Sequence, residues 1–279
     1  NNLSYLYLSL LYFIEYLFFA AVVIYYYKKN GNNFSSLIFD KKETFKILKK
    51  ILLLPVLSLI FLVSIRIDVL MIGKILGAEY SGFYSTGSRL VIIVLLYSTL
   101  FLQFLYPNIS RIDANSEKFK DMYKNLIASA TLVGFSFFVC SYLFVEFYLS
   151  LFGHDFIKAR ESLLILSFNL LFAIVYNIWV HKKFLINDYS KILFFHLLVI
   201  ILNIVLNFYM IELYGIKGAA ISTMISGIFA FCIVNISNPK EIYLIVSSLR
   251  FERFNIIASK ILRAIFLKKK PDNNEKINN

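Results

Sequence analysis

Apolar residues in this sequence are collected into long runs that alternate with short polar connections. A spanning segment in a lipid bilayer needs about 20 such residues in succession. Inside lipid, each backbone polar group has to be satisfied within its own segment, so the runs predict helices. We therefore predict an all-α fold, a polytopic integral membrane helix bundle of about seven transmembrane helices. The predicted spans are residues 3–27, 51–72, 82–106, 124–148, 161–180, 191–211 and 217–236.

Composition agrees with this interpretation, since 59% of the 279 residues are hydrophobic. A soluble domain of this length does not need that much apolar surface. The formal net charge is +12, but the positive residues lie between the spans, so we expect membrane topology rather than nucleic-acid binding to explain it. Cys140 and Cys232 both fall inside predicted spans and suggest neither a disulfide framework nor a metal site.

Every second connection between the spans is rich in lysine and arginine, and this alternation predicts the orientation of the chain. The connections at 28–50, 107–123 and 181–190 and the tail after the last span are rich in both residues, whereas the alternate connections hold few. The rich side is expected to be cytoplasmic, with Asn1 outside. The sequence has no starting Met and opens almost directly into a span, so we expect an upstream part to be missing.

Two segments outside the spans have their own character. Residues 28–50 form the longest internal connection and include the polar stretch "KKNGNNFSS", which predicts a linker between two bundles. In the tail, residues 237–279, basic residues share one side of a predicted helix that would lie on an anionic inner leaflet. A solvated, frayed tail is the alternative. The basic residues concerned are Arg250, Arg253, Lys260 and Arg263.

Three charges lie close to the predicted lipid at the outer ends of two consecutive spans. Asp68 and Arg89 are at matching depth, so we expect them to form an ion pair that at least fixes the hairpin. Arg66 and Asp68 are two residues apart on a helix, so their side chains are expected to point to different sides. One positive charge is left unbalanced.

Other polar residues inside spans are candidates for coupling or hydrogen bonding. Glu15 lies in the middle of the first span and is a candidate proton or cation site, whereas Glu146 is expected to reach the interface. Asn203 and Asn207 share a helix face and are expected to hydrogen-bond either a ligand or neighbouring helices.

The glycines from Gly73 to Gly87 lack a phosphate-loop pattern, and no catalytic triad, nucleophile elbow or metal constellation is present. We therefore predict no enzyme activity, no cofactor and no metal.

Four motifs occur in an order and spacing that resemble a known family. They are "RIDVLMIGKILGAEYSGFYSTGSRL" at 66–90, "YPNISR" at 106–111, "LFGHDFIKARESLLILS" at 151–167 and "YGIKGAAISTMIS" at 214–226. Together they resemble the C-terminal lobe of Wzx-type O-antigen and polysaccharide flippases, within the multidrug/oligosaccharidyl-lipid/polysaccharide exporter superfamily.

The resemblance implies two bundles of six helices around a central cavity that opens alternately to either side. Residues 1–27 would then be the last helix of the N-lobe, 28–50 the cytoplasmic linker between lobes, 51–236 the six-helix C-lobe and 237–279 a cytoplasmic tail. The implied location is the bacterial inner membrane.

The resemblance also implies the substrate, an undecaprenyl-pyrophosphate-linked O-antigen or capsule repeat unit. Arg66 and Arg89 would help to attract its pyrophosphate, since arginine matches phosphate with a bidentate fork. Asn203 and Asn207 would contact sugar, and Asp68 and Glu15 would have structural or coupling roles. Membrane lipids, a polysaccharide polymerase and chain-length proteins are the other expected partners. A cation-coupled drug exporter of the same superfamily and a non-transporting scaffold of the glycan machinery are the alternatives.

Overall fold

The computed structural model describes residues 2–31, 40–109, 116–237 and Ser247 of the chain. These residues form seven α-helices and a short 3-10 helix, and they include no strand, which confirms the predicted all-α fold. The bounds are α1 Asn2–Lys29, α2 Lys41–Ile51, α3 Leu53–Ile75, α4 Ala78–Ile109, α5 Glu117–Ser150, the 3-10 helix His154–Ala159, α6 Arg160–Leu185 and α7 Tyr189–Ser237.

Five helices in the described part of the chain are long and apolar enough to cross a membrane, namely α3 to α7, with the 3-10 helix running directly into α6. Helix α1 covers the first predicted span. Several helices continue beyond the predicted spans because their polar ends remain helical; α5 begins at Glu117, where Ser116 caps it by accepting a hydrogen bond from the Phe119 amide. The predicted tail residues Arg250, Arg253, Lys260 and Arg263 lie outside the described residues.

Helix α7 contains the last two predicted spans and is broken at Gly215. A straight helix of 49 residues would be about 74 Å long at 1.5 Å per residue, far more than a bilayer requires. Gly215 has φ 60° and ψ −141°, a backbone conformation that favours glycine. Residues 189–214 and 216–237 are therefore two arms, which we call the first and second arm of α7.

The two arms fold back on each other as an antiparallel hairpin. Asn203 Nδ2 donates to Thr223 Oγ1 at 3.3 Å, although 20 positions separate them. In a continuous helix those residues would be about 30 Å apart. Gly218 permits the close approach, because a Cβ atom there would overlap the carbonyl oxygen of Met210.

The chain divides into two compact units, residues 1–52 and 53–279. The first contains α1 and α2. The sequence predicted only a linker over 28–50, but part of that segment is the helix α2, because Asp40 caps its first turn and accepts from the amides of Lys42 at 2.8 Å and Glu43 at 3.4 Å.

In the second unit, α6 is the central helix and packs against α4, α5 and α7, while α3 packs against α4 and α7. Its side chains from Leu163 to Val180 contribute to the buried interior on several faces. Gly87 of α4 lets that helix approach α6 closely, since a Cβ atom at this position would sit 3.4 Å from the Cβ of Leu163. Large apolar side chains on α3, α5 and the first arm of α7 are exposed, as expected of surfaces that face lipid.

Ion pairs join the helices near the 3-10 segment. Arg160 Nε lies 2.9 Å from Glu146 Oε1 and links α6 to α5, and Lys217 Nζ lies 2.8 Å from Glu161 Oε2 and links the second arm of α7 to α6. All four side chains are exposed, so these pairs contribute little to stability.

Candidate functional site

A buried carboxylate on α3 connects three helical segments of the second unit. Asp68 is buried, and its Oδ2 accepts hydrogen bonds from Tyr84 Oη on α4 at 2.9 Å and from Thr223 Oγ1 on the second arm of α7 at 2.6 Å. Its Oδ1 accepts from Asn207 Nδ2 on the first arm of α7 at 2.7 Å. A carboxylate inside an apolar bundle needs such donors, since it loses its hydration there.

Two asparagines extend this network along the first arm of α7. Asn207 Nδ2 also donates to Asn203 Oδ1 at 3.1 Å, and Asn203 Nδ2 donates to Thr223. Of the two expectations for Asn203 and Asn207, hydrogen bonding to neighbouring helices is therefore the one that the structure shows. Asn207 Oδ1 is buried and has no hydrogen-bond partner among the described residues.

A cavity of about 300 Å³ lies between α3, α4, α6 and the two arms of α7. About half of the residues that line it have polar side chains, and the rest are apolar. Of the described residues that line it, Asp68 is the only one with a carboxylate, and no lysine or arginine is among them. Its polar lining residues include Asp68, Tyr84, Asn169, Asn177, His196, Asn203 and Thr223.

An aromatic cluster forms another part of the same wall. Tyr176 Oη lies 3.2 Å from His196 Nδ1, and the two rings are stacked with their centroids 6.0 Å apart. The Phe61 ring lies against the His196 ring, with the two ring centroids 4.1 Å apart. Trp179 stacks on Tyr176 from outside the cavity, at 5.8 Å.

The predicted ion pair between Asp68 and Arg89 is wrong. Within the described residues, Asp68 is held by hydroxyl and amide donors and makes no ion pair with Arg89, whose side chain is exposed. Arg66 is exposed as well, and neither arginine lines the cavity. The opposite-sides prediction for Arg66 and Asp68 is confirmed, since one is exposed and the other buried.

Glu15 lies on α1 in the first unit, with its side chain exposed. Its coupling role remains a prediction. No group of three or more His, Cys, Asp or Glu side chains in the described part of the chain is arranged to hold a metal ion.

The sequence analysis did not single out Tyr84, Thr223, Tyr176, Phe61 or His196 as site residues. Each lies within a predicted span. Polarity inside a span was the one signal for Thr223 and His196. For Tyr84, Tyr176 and Phe61 no signal distinguished them from other aromatic residues of the chain.

Comparison with known proteins places the chain in a family. A family model described as "Polysaccharide biosynthesis protein" matches residues 7–159, more than half of the chain. The chain belongs to this polysaccharide biosynthesis family. The resemblance noted from the sequence is confirmed at that level.

One curated relative supports the same assignment. The "Probable low-salt glycan biosynthesis flippase Agl15" of Haloferax volcanii is 26% identical over 162 residues, which cover 57% of this chain and 34% of that protein. The alignment thus spans about a third of the relative's length. No solved structure matches the chain.

The family match bears on part of the site. Asp68 and Tyr84 lie within the matched residues, whereas both arms of α7 lie beyond them. In this member of the polysaccharide biosynthesis family, the Asp68 network therefore joins the matched helices to a segment outside the match.

Proposed function

We propose that this chain is part of a flippase that moves undecaprenyl-pyrophosphate-linked O-antigen or capsule repeat units across the bacterial inner membrane. Residues 51–236 would form the C-lobe, residues 1–27 the last helix of the N-lobe and residues 28–50, which include most of α2, the cytoplasmic linker. The cavity beside Asp68 carries the proposal. In a transporter, a polar-lined cavity inside the apolar helix bundle marks the path of a polar substrate. This chain has such a cavity, and it belongs to a polysaccharide biosynthesis family.

Asp68 is proposed as the coupling residue. Its carboxylate is held by donors from α4 and from both arms of α7, with no cation paired to it among the described residues. Binding a proton or a monovalent cation there would weaken the carboxylate as an acceptor for three donors at once. The packing of α3 against the α7 hairpin would then depend on ion binding, which is what coupling requires.

Arg66 and Arg89 are proposed to attract the pyrophosphate outside the cavity, because both are exposed and neither lines it. Asn203 lines the cavity and is proposed to contact sugar, while Asn207 positions Asp68. Glu15 is proposed as a second coupling candidate.

The test is surface glycan in a strain that lacks its own flippase and produces the chain together with any segment encoded upstream. We expect restored surface glycan with the wild-type sequence and loss of most of it with Asp68→Asn, normalised to protein in the membrane. Asp155→Asn is the matched control, since that carboxylate is exposed. If the wild type restores no glycan while present in the membrane, the proposed function is wrong.

A cation-coupled drug exporter is the second candidate, and one observation favours it. The cavity offers a carboxylate and aromatic rings without a lysine or arginine among its described lining residues, which suits an organic cation. Energised export of ethidium that Asp68→Asn abolishes, without restored surface glycan, would support this candidate over the flippase.

A further inference from the structure

Helix α2 and the residue after it have two chemically different sides. The backbone of Leu52 is still helical, so the register of α2 continues to that residue. Phe45, Leu48 and Leu52 then fall within about 60° of one another around the helix axis, and we call them the apolar stripe of α2. Lys42 and Lys46 lie to one side of this stripe, whereas Glu43 lies opposite it. The helix is therefore amphipathic.

The apolar stripe is largely uncovered in the described part of the chain. The side chains of Phe45, Leu48 and Leu52 are each more than half exposed. Three large apolar side chains along one side of a short helix form a patch that is unfavourable in water. The stripe therefore favours an apolar partner outside the described residues.

The position of α2 in the chain brings it to the membrane boundary. Leu52 alone separates α2 from α3, which is long and apolar enough to span a bilayer. The 23 residues of α3 are about 35 Å long, close to the hydrocarbon thickness of about 30 Å. The first turn of α3 is therefore at the interface, and the end of α2 is there too. With 11 residues, α2 itself is about 17 Å long and too short to span.

The charge of α2 selects among the surfaces that it can meet at this boundary. The helix contains five lysines and one glutamate, which gives it a net charge of +4. Glu43 lies 3.5 Å from Lys46, but both side chains are exposed, so this pair holds Lys46 only weakly. Lysines beside an apolar stripe can keep their stems along the stripe and extend their ammonium groups to lipid phosphates.

We propose that α2 is a membrane-surface helix that binds an anionic phospholipid leaflet, with the apolar stripe among the acyl chains and the lysines at the headgroups. Such helices have a strongly apolar side and a basic one, as α2 does. The segment that the sequence predicted only as a linker would then be attached to the leaflet along this helix. The inference is independent of the proposed flippase function.

The test measures which side of α2 faces lipid in the full chain. With Cys140 and Cys232 replaced by serine, a nitroxide label is attached at Phe45→Cys, at Leu48→Cys or, as the matched control on the opposite side, at Glu43→Cys. The protein is reconstituted in nanodiscs of phosphatidylcholine, with or without phosphatidylglycerol. Electron paramagnetic resonance then compares the access of each label to oxygen, which enters the acyl region, and to a nickel chelate, which remains in water.

In nanodiscs with phosphatidylglycerol, we expect the labels at Phe45 and Leu48 to favour oxygen and the label at Glu43 to favour the nickel chelate. Lys42→Gln combined with Lys46→Gln should lower the ratio of lipid-immersed to water-exposed label at Phe45. The expected decrease at low salt is about fivefold for each lysine. Lys74→Gln combined with Lys158→Gln removes the same charge elsewhere, from two exposed lysines, and should leave the ratio unchanged.

Three results would overturn the proposal. Labels at Phe45 and Leu48 that are as accessible to the nickel chelate as the label at Glu43 would show that α2 lies in water. Labels shielded from both reagents would show that protein covers the stripe. Equal ratios with and without phosphatidylglycerol, or an unchanged ratio in the Lys42 and Lys46 variant, would rule out an anionic leaflet as the partner. Thermal melting establishes that each variant is folded, and Leu48→Cys alone suffices if Phe45→Cys is not.

Discussion

Asn207 donates from Nδ2 to Oδ1 of Asp68 at 2.7 Å, across 139 positions of the chain. Both side chains are buried, and Asn207 is fully so. The bond attaches the first arm of α7 to α3, and Thr223 attaches the second arm to the same carboxylate. One acidic side chain thus holds a helical hairpin and its neighbour in register.

Removal of that carboxylate should destabilise the bundle. Asp68→Ala leaves Tyr84, Asn207 and Thr223 without their buried acceptor, and we expect a loss of about 2–4 kcal/mol in the free energy of unfolding. The loss of stability is measured by thermal denaturation in detergent, with size-exclusion chromatography as the means of detecting the protein that remains folded. Asp155→Ala, which breaks an exposed pair with Lys158, should melt as the wild type does. Equal melting of Asp68→Ala and wild type would contradict the structural role of Asp68.

The antiparallel hairpin predicts a disulfide across α7. With Cys140 and Cys232 replaced by serine, the pair Asn203→Cys and Thr223→Cys should cross-link under mild oxidation, because these side chains are in contact. Val205→Cys with Thr223→Cys is the control, since Val205 is exposed on the outer surface of the first arm. Mass spectrometry after proteolysis detects the bond. A continuous α7 helix would cross-link neither pair.

Glycine substitutions should separate the close approach of the hairpin arms from ordinary helix propensity. Gly218→Ala places a Cβ atom on the Met210 carbonyl oxygen, so we expect marked loss of stability. Gly227→Ala meets the movable Asn169 side chain and should cost less. Gly82→Ala has no atom within 4 Å of the new Cβ and should be neutral or stabilise by about 0.5–1 kcal/mol. Melting temperatures give the order, and a reversed order would count against the described packing at Gly218.

The orientation predicted from lysine and arginine remains to be measured. Lys74 at the end of α3 and Lys118 at the start of α5 are exposed and lie on either side of α4 in the chain. With the native cysteines replaced, Lys74→Cys should react with an impermeant thiol reagent in intact cells, and Lys118→Cys only after the cells are opened. The opposite pattern would mean that the tail is outside.

The helices were predictable from the sequence because a bilayer imposes one requirement, a long apolar run, that is visible residue by residue. The sidedness of Arg66 and Asp68 also followed, since their spacing on a helix determines it. Even the break in α7 lay where the sequence ended one span and began the next.

The partners of Asp68 were not predictable in the same way. The sequence argument paired it with Arg89, on the nearest helix in the chain and at a matching depth. The structure supplies donors from residues 139 and 155 positions away, because α3 packs against the α7 hairpin as well as against α4. The periodicity of apolar residues along one helix does not determine which helices pack together. A polar residue in a span therefore indicates that a partner exists but not which residue it is.

The fold at Gly215 has a consequence for how this protein enters the membrane. Asn203, Asn207 and Thr223 each make insertion of their own arm into lipid less favourable. Once the turn forms, Asn203 and Thr223 satisfy each other, so the hairpin hides polar groups that a lone arm would present to acyl chains. The two arms are therefore best delivered to the bilayer as one unit, and α3, which precedes them in the chain, supplies the carboxylate against which the hairpin packs.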